Sequence, residues 1–277
     1  MRGGGDFSMA TSEFLKETEP FEQIESLPCG GSTSLCYRVR KDGKDYFMKK
    51  LRPEFRDNQR YRMLFHKELE IGKNLRNKYF ANYLSLHENK DDIYLIMDFI
   101  NGQCLEETLK VNPGYFTLAY NYEKFFIQLL KGLRTLHRKN IAYLDLKPEN
   151  ILLTQVNNDV KIIDLGFCLD DTYGQTAGYN KDFAAPELFN NNGKDIDARS
   201  DIYSFGKLML HINKICVIKH ISLFRKKILN KCTQENPEDR FSSVDEILRY
   251  INRRKQVIVF ASFMLVISIV GFFFGFY

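Results

Sequence analysis

Near its start the chain alternates apolar and polar residues in short runs. Ile24 to Leu27, Leu35 to Val39 and Tyr46 to Leu51 read as short strands between polar turns. Between the last two, Lys41-Asp42-Gly43-Lys44 holds an Asp-Gly pair, the strongest short hairpin signal. The period then lengthens. Tyr61, Leu64, Phe65, Leu69 and Ile71 follow helical spacing within 58–75, and two further strands are expected at Tyr83–His87 and Ile93–Phe99. Beyond about residue 100 the helical period dominates. Phe125, Phe126, Leu129, Leu130, Leu133 and Leu136 form one buried helix face, and Asp201–Ile215 and Val244–Ile251 read as further helices. The pattern predicts an α+β chain with a small β-rich lobe (21–100) carrying one main helix and a larger helical lobe (101–256). Residues 1–20 are polar and glycine-rich. They read as a flexible lead without the apolar core of a secretory signal.

Residues 257–277 break the pattern, because they contain no charged residue. At 1.5 Å per residue, a helix of that length spans roughly the 30 Å hydrocarbon core of a bilayer. The stretch is expected to be a C-terminal transmembrane helix. Arg253-Arg254-Lys255 stands directly before it, which by the positive-inside rule leaves residues 1–256 facing the cytoplasm. Charge is compatible with this. The net +5 is concentrated in 207–256, where 12 Lys/Arg face 5 Asp/Glu, next to the span; this suits an anionic leaflet and equally a solvated basic face. No nucleic-acid partner is needed to explain it. The six cysteines are scattered, with neither a CxxC nor a Cys/His cluster, so a zinc site or disulfide framework is not expected. Gly271 and Gly275 carry small-xxx-small spacing, which admits a homodimer through the span.

The chemistry concentrates in Tyr143-Leu144-Asp145-Leu146-Lys147-Pro148-Glu149-Asn150 and in Ile162-Ile163-Asp164-Leu165-Gly166. Two carboxylates, a lysine and an amide beside short apolar strands suit magnesium, which wants hard oxygen ligands, and a transferring phosphoryl group, which wants a cation and a base. These stretches resemble the catalytic loop and the metal-binding DFG motif of eukaryotic-type (Hanks-type) serine/threonine protein kinases. Other parts of that family's pattern follow in order. Phe47-Met48-Lys49 is similar to the VAIK strand, and Glu68 stands on the following helix, with Lys50 and Glu70 as alternatives. Met97-Asp98-Phe99 is similar to the gatekeeper and hinge. Ala185-Pro186-Glu187 closes an activation segment, and Arg240 matches the partner of Glu187. Asp201-Ile202-Tyr203-Ser204-Phe205-Gly206 matches the D-x-W-x-x-G helix start, from which, by that resemblance, Asp201 would brace the catalytic loop.

The resemblance implies the two-lobed kinase fold and a use for each residue. Lys49, oriented by Glu68, would bind the ATP phosphates, with Gly30, Leu35, Met97 and Phe99 around the nucleotide. Asp145 would accept the substrate hydroxyl proton, Lys147 would neutralise the γ-phosphate, and Asn150 and Asp164 would hold Mg2+. The partner would be a protein substrate with Ser or Thr, because Lys147 two residues after Asp145 resembles the serine/threonine class. The chain departs from the family at identifiable points. Pro28 and Thr33 replace two glycines of the phosphate-covering turn, Phe47 replaces Ala, and Leu165 replaces Phe. Tyr143 and Leu144 replace His and Arg of HRD, so the chain reads as a non-RD kinase. Phosphorylation at Thr172, Tyr173, Thr176 or Tyr179 is then not expected to be the main switch. The expected function is a membrane-anchored serine/threonine kinase; the alternative is a pseudokinase scaffold at the membrane.

Overall fold

The structure, a computed structural model, describes residues 21–28, 33–168, 180–189, 196–218 and 222–274. The chain divides into two compact units, residues 1–108 with 148–176, and residues 109–147 with 177–277.

The first unit is built on a five-stranded antiparallel sheet of β1 (Gln23–Leu27), β2 (Ser34–Lys41), β3 (Lys44–Leu51), β4 (Tyr83–Glu88) and β5 (Ile93–Asp98), in the order β1-β2-β3-β5-β4. The Asp-Gly signal forms the β2–β3 turn: Lys41 pairs with Lys44, and Asp42 and Gly43 take φ of 52° and 71°. Two successive left-handed residues make the type I′ geometry whose twist matches the strands it joins. Helix α1 (Gln59–Asn74) begins at Asn58, whose side chain accepts from Arg60 N, and it packs against β4 and β5. Its inner face carries Phe65, Glu68 and Ile71 at three-residue spacing. Covered in this way, β5 is buried from Ile93 to Met97, which is why it reads as a continuous apolar run rather than an alternation.

A second, three-stranded antiparallel sheet joins β6 (Gly102–Cys104), β7 (Ile151–Thr154) and β8 (Val160–Ile162), and short helix α2 (Leu105–Val111) follows β6 in sequence. Ile162 N donates to Tyr79 O at 2.7 Å, and Phe80 bridges Ile162, so this sheet is tied to the segment after α1. The sequence pattern does not predict helix α2, strand β6 or the later helix over Leu223–Cys232; each is short.

The second unit is helical. Helix α3 (Ala119–His137) buries Tyr122, Phe125, Phe126, Leu129, Leu130, Leu133 and Leu136 on one face, as its spacing predicts. Helix α4 (Ala198–Ile215) is capped by Asp197, and α5 (Leu223–Cys232) by Ser222. Phe126 of α3 meets Phe205 of α4 edge-on at 4.8 Å.

Helix α6 (Val244–Phe274) is longer than the Val244–Ile251 pattern predicts. Val244, Ile247, Leu248 and Ile251 are buried, and Asp245 pairs with Arg134 and Arg138 of α3. The helix then continues through Arg253-Arg254-Lys255 into the apolar tail, because residues 244–270 contain neither Pro nor Gly. From Val257 to Phe272 the large apolar side chains are 46–68% exposed. Among the described residues no helix is long and apolar enough to cross a membrane. The transmembrane expectation for 257–277 is therefore not met within them; the side chains of residues 271, 273 and 274, and all of 275–277, lie outside. The Gly271–Gly275 pairing motif lies outside with them.

Candidate active site

Lys49 is on β3, and the pleat of the strand turns it away from its neighbour Lys50. Its Nζ donates to Glu68 Oε2 at 2.8 Å and to Asp164 Oδ1 at 2.8 Å. The pair that forms is thus Lys49 with Glu68. Lys50 instead pairs with Asp92 at 2.8 Å, and Glu70 is exposed. The side chains of Lys49 and Glu68 are 12% and 2% exposed, and that of Asp164 is 30% exposed. Burial alone would lower the Lys49 pKa, but the adjacent Asp164 and Glu68 carboxylates outweigh it and hold the ammonium well above the ordinary lysine range. Glu68 is pushed up by burial, against the pull of the Lys49 ammonium and the Tyr83 hydroxyl.

Asp164 takes φ of 61°, a left-handed conformation that Asp tolerates better than most residues. Gly166 N donates to Asp164 Oδ1 at 3.2 Å. A Cβ on Gly166 would sit 3.3 Å from that oxygen and 3.4 Å from Glu68 Oε2, so a side chain there would crowd both carboxylates. Asn150 is at the foot of β7. Ile151 pairs with Ile162, and Ile163 N donates to Asn150 O at 3.0 Å, which brings Asn150 and the backbone leading into Asp164 to the same end of one hairpin.

The nucleotide-side candidates fall as follows. Leu35 is half-buried on β2. Met97 is buried on β5 and pairs in register with Phe47. Phe99 follows β5, with the Arg38 guanidinium 4.8 Å above its ring. Gly30 lies outside the described residues, as do Thr172, Tyr173, Thr176 and Tyr179.

Asp145 and Lys147 belong to the second unit. Lys147 Nζ donates to Asp145 Oδ2 at 2.7 Å. The loop that carries them is anchored by Asp201 of α4, which is fully buried. Its Oδ2 accepts from Tyr143 N at 2.7 Å and its Oδ1 from Leu144 N at 2.8 Å. His137 Nε2 lies 2.8 Å from Oδ2 of the same carboxylate. Leu144 is buried in the left-handed region, with φ of 65°.

Glu187 and Arg240 form a buried two-pronged pair. Nη1 donates to Oε1 at 2.7 Å and Nη2 to Oε2 at 2.8 Å, while Ser200 Oγ donates to Oε1 at 2.7 Å. Arg240 also caps the carbonyls of Arg199, Gln234 and Glu235, and its guanidinium stacks 4.9 Å over Tyr203, the residue in the Trp position of D-x-W-x-x-G. Burial raises the Glu187 pKa, but the hydrogen bonds from Arg240 and Ser200 more than offset this and hold it below the usual carboxylate range.

A lysine between two carboxylates, and a second lysine on a third carboxylate, are groups for binding phosphate and moving a hydroxyl proton. Comparison with known proteins agrees. The model of the protein kinase domain family matches residues 22–219. The chain belongs to the protein kinase domain family. A Clostridium acetobutylicum protein named as a probable serine/threonine-protein kinase is 23% identical over 258 residues, covering 81% of this chain and 38% of that protein. Serine/threonine-protein kinase Nek4 of Mus musculus is 29% identical, over 69% of this chain and 24% of its own. Rhodopsin kinase GRK1 of Rattus norvegicus is 30% identical, over 64% and 32%. The kinase domain here thus spans less than two fifths of the length of these relatives.

The donors also fit a magnesium ion brought in with a nucleotide. Asp164 and Asn150 offer one carboxylate and one amide oxygen. Among the described residues no group of three His, Cys, Asp or Glu could hold a metal by itself. Magnesium is typically held in this way, by one or two protein oxygens while substrate phosphates and water complete its octahedron.

Sequence reasoning missed Tyr83, whose hydroxyl donates to Glu68 Oε1 at 2.9 Å, and His137 beneath the loop. Gly72 was the available signal for Tyr83. A glycine inside a helix costs about 1 kcal/mol against alanine, and it asks for a packing reason.

Proposed function

We propose that this chain is a serine/threonine protein kinase that transfers the γ-phosphoryl group of ATP to a protein hydroxyl. The observation that carries the reading is the bridge from Lys49 Nζ to both Glu68 and Asp164, each at 2.8 Å. A lysine so fixed offers its charge to the α- and β-phosphates without reorganising on arrival of the nucleotide. Leu35, Met97 and Phe99 would line the base, with Gly30 over the phosphates. Asn150 and Asp164 would hold magnesium, which when bound offsets the charge spread across the phosphates. Asp145 orients the substrate hydroxyl and accepts its proton at a carboxylate oxygen, and Lys147 neutralises the γ-phosphate as charge develops. The choice of Ser/Thr rests on Lys147 and on the serine/threonine kinase names of the relatives.

The kinase would be tethered by its C-terminal segment, with residues 1–256 in the cytoplasm. The charge-free run 257–277, the exposed apolar side chains along α6 and the preceding Arg253-Arg254-Lys255 support this. The working domain would be 21–256.

The test uses the full chain in lipid nanodiscs with labelled ATP, magnesium and a generic protein acceptor. Wild type should label the acceptor on Ser or Thr by phosphoamino-acid analysis, and Lys49→Ala, Asp145→Asn and Asp164→Ala should each lose transfer. If the wild type binds nucleotide but labels nothing, the chain is a scaffold rather than an enzyme.

A further inference from the structure

We propose that Tyr83 is a positioning residue that holds Glu68 against Lys49, and that Gly72 is glycine because the Tyr83 ring occupies the space a side chain would fill. This rests on the reading above, in which Lys49 engages the ATP phosphates. Glu68 spends one carboxylate oxygen on each partner: Oε2 accepts from Lys49 Nζ at 2.8 Å, and Oε1 accepts from the Tyr83 hydroxyl at 2.9 Å. Both oxygens are thereby fixed, and the carboxylate cannot rotate away from Lys49 without leaving a buried acceptor unpaired.

The second observation is steric. Gly72 lies one helical turn beyond Glu68 on the same face of α1. A Cβ there would fall 2.2 Å, 2.3 Å and 2.8 Å from three carbons of the Tyr83 ring. No real contact is that short, so any other residue at 72 must displace the ring. Tyr83 is itself 4% exposed, on β4 at the sheet edge that α1 covers. The missing side chain of Gly72 and the large one of Tyr83 are thus complementary. Their combined effect is to aim a hydroxyl at a carboxylate that is 2% exposed.

The prediction separates a positioning role from a merely structural one. Tyr83→Phe keeps the ring and removes only the donor. It should fold as the wild type does, lower kcat/KM for ATP about tenfold, as expected for a hydrogen bond to a charged group, and leave KM for the protein substrate unchanged. Without any nucleotide, it should speed acetylation of Lys49 by an amine-selective reagent several-fold, read peptide by peptide by mass spectrometry. In a Glu68→Ala background, where the Tyr83 hydroxyl has no carboxylate to hold against Lys49, adding Tyr83→Phe should change either readout by less than twofold. Gly72→Ala should act in the same direction as Tyr83→Phe. Equal effects of Tyr83→Phe in the presence and absence of Glu68, or wild-type Lys49 acetylation in both Tyr83→Phe and Gly72→Ala, would overturn the proposal. If the wild type transfers no phosphate, the kinase reading fails, while the acetylation cycle still decides whether Tyr83 acts through Glu68.

Discussion

Asp201 holds Leu144 in a backbone conformation that leucine rarely adopts. The buried carboxylate accepts from Leu144 N at 2.8 Å and from Tyr143 N at 2.7 Å, while Leu144 sits at φ of 65°. A bulky residue in this region costs about 1–3 kcal/mol and persists only where its surroundings impose it. The strained residue immediately precedes Asp145, so the carboxylate of α4 sets the direction of the loop that carries the proposed base.

Replacing Asp201 by Asn tests this link. Asn offers one acceptor oxygen where two backbone N–H groups and His137 need two, and it adds donors with no place to go. The variant should remain folded but lose about 2–4 kcal/mol of stability in urea. It should lose at least about tenfold in kcat while KM for ATP stays nearly unchanged, because Lys49, Glu68 and Asp164 are held by other residues. An unchanged kcat would show that the loop does not depend on this anchor.

The Glu187–Arg240 pair gives the protein an acid-sensitive point. The folded pKa of Glu187 lies below its ordinary value, so the pair stabilises the fold fully above about pH 4.3 and loses that contribution as pH falls through the lower, folded value. Glu187→Gln removes the titration and leaves a buried guanidinium short of its anion. It should cost about 3 kcal/mol at pH 7, and the gap between variant and wild type should narrow below pH 4. Parallel urea titrations from pH 7 down to pH 3 would show it. A constant gap would mean that the pair carries no pH-dependent stability.

Leu144 also bears on regulation. In the kinases that this loop resembles, an arginine stands here and grips a phosphate on the activation segment, whereas a buried leucine has no charge and no donor to offer. Phosphatase treatment of the purified kinase should therefore change kcat by less than about twofold. If dephosphorylated protein proves inactive and phosphorylation restores it, another cation must serve as the anchor.

Much of the fold was legible because local signals and tertiary packing agree. Asp42-Gly43 formed the turn its residues prefer, Asn58 capped the helix expected at 58–75, and the apolar period of 125–136 became the buried face of α3. Elements were missed where the local signal is short or masked. Strand β6 has three residues, and α2 has seven. The pattern predicts two helices, over 244–251 and over 257–277, and α6 joins them through 252–256 because nothing in the backbone chemistry there stops a helix. In the site, order and separation favour Lys49 and Glu68 over Lys50 and Glu70, and the strand pleat is what sends Lys49 to Glu68 while Lys50 pairs with Asp92. Tyr83 could not be reached by motif at all, because its role depends on the absence of a side chain at Gly72.

The tail yields the last prediction. Burying one large apolar side chain stabilises by roughly 1.5–3 kcal/mol, so the partly exposed apolar side chains from Val257 to Phe272 amount to about 10–20 kcal/mol of unfavourable contact with water. A lipid environment removes that cost, and Arg253-Arg254-Lys255 adds about 1 kcal/mol per residue at an anionic surface. The two contributions separate by salt, because at 1 M the Debye length is about 3 Å and surface attraction is screened while apolar burial is not. The full chain should therefore stay bound to anionic vesicles at 1 M salt and be released only by detergent. A chain ending at residue 256 should bind weakly at low salt and wash off at 1 M. Full chain that remains monodisperse in water without detergent, and floats free of vesicles at any salt, would remove the membrane from the account and leave α6 as a helix awaiting a protein partner.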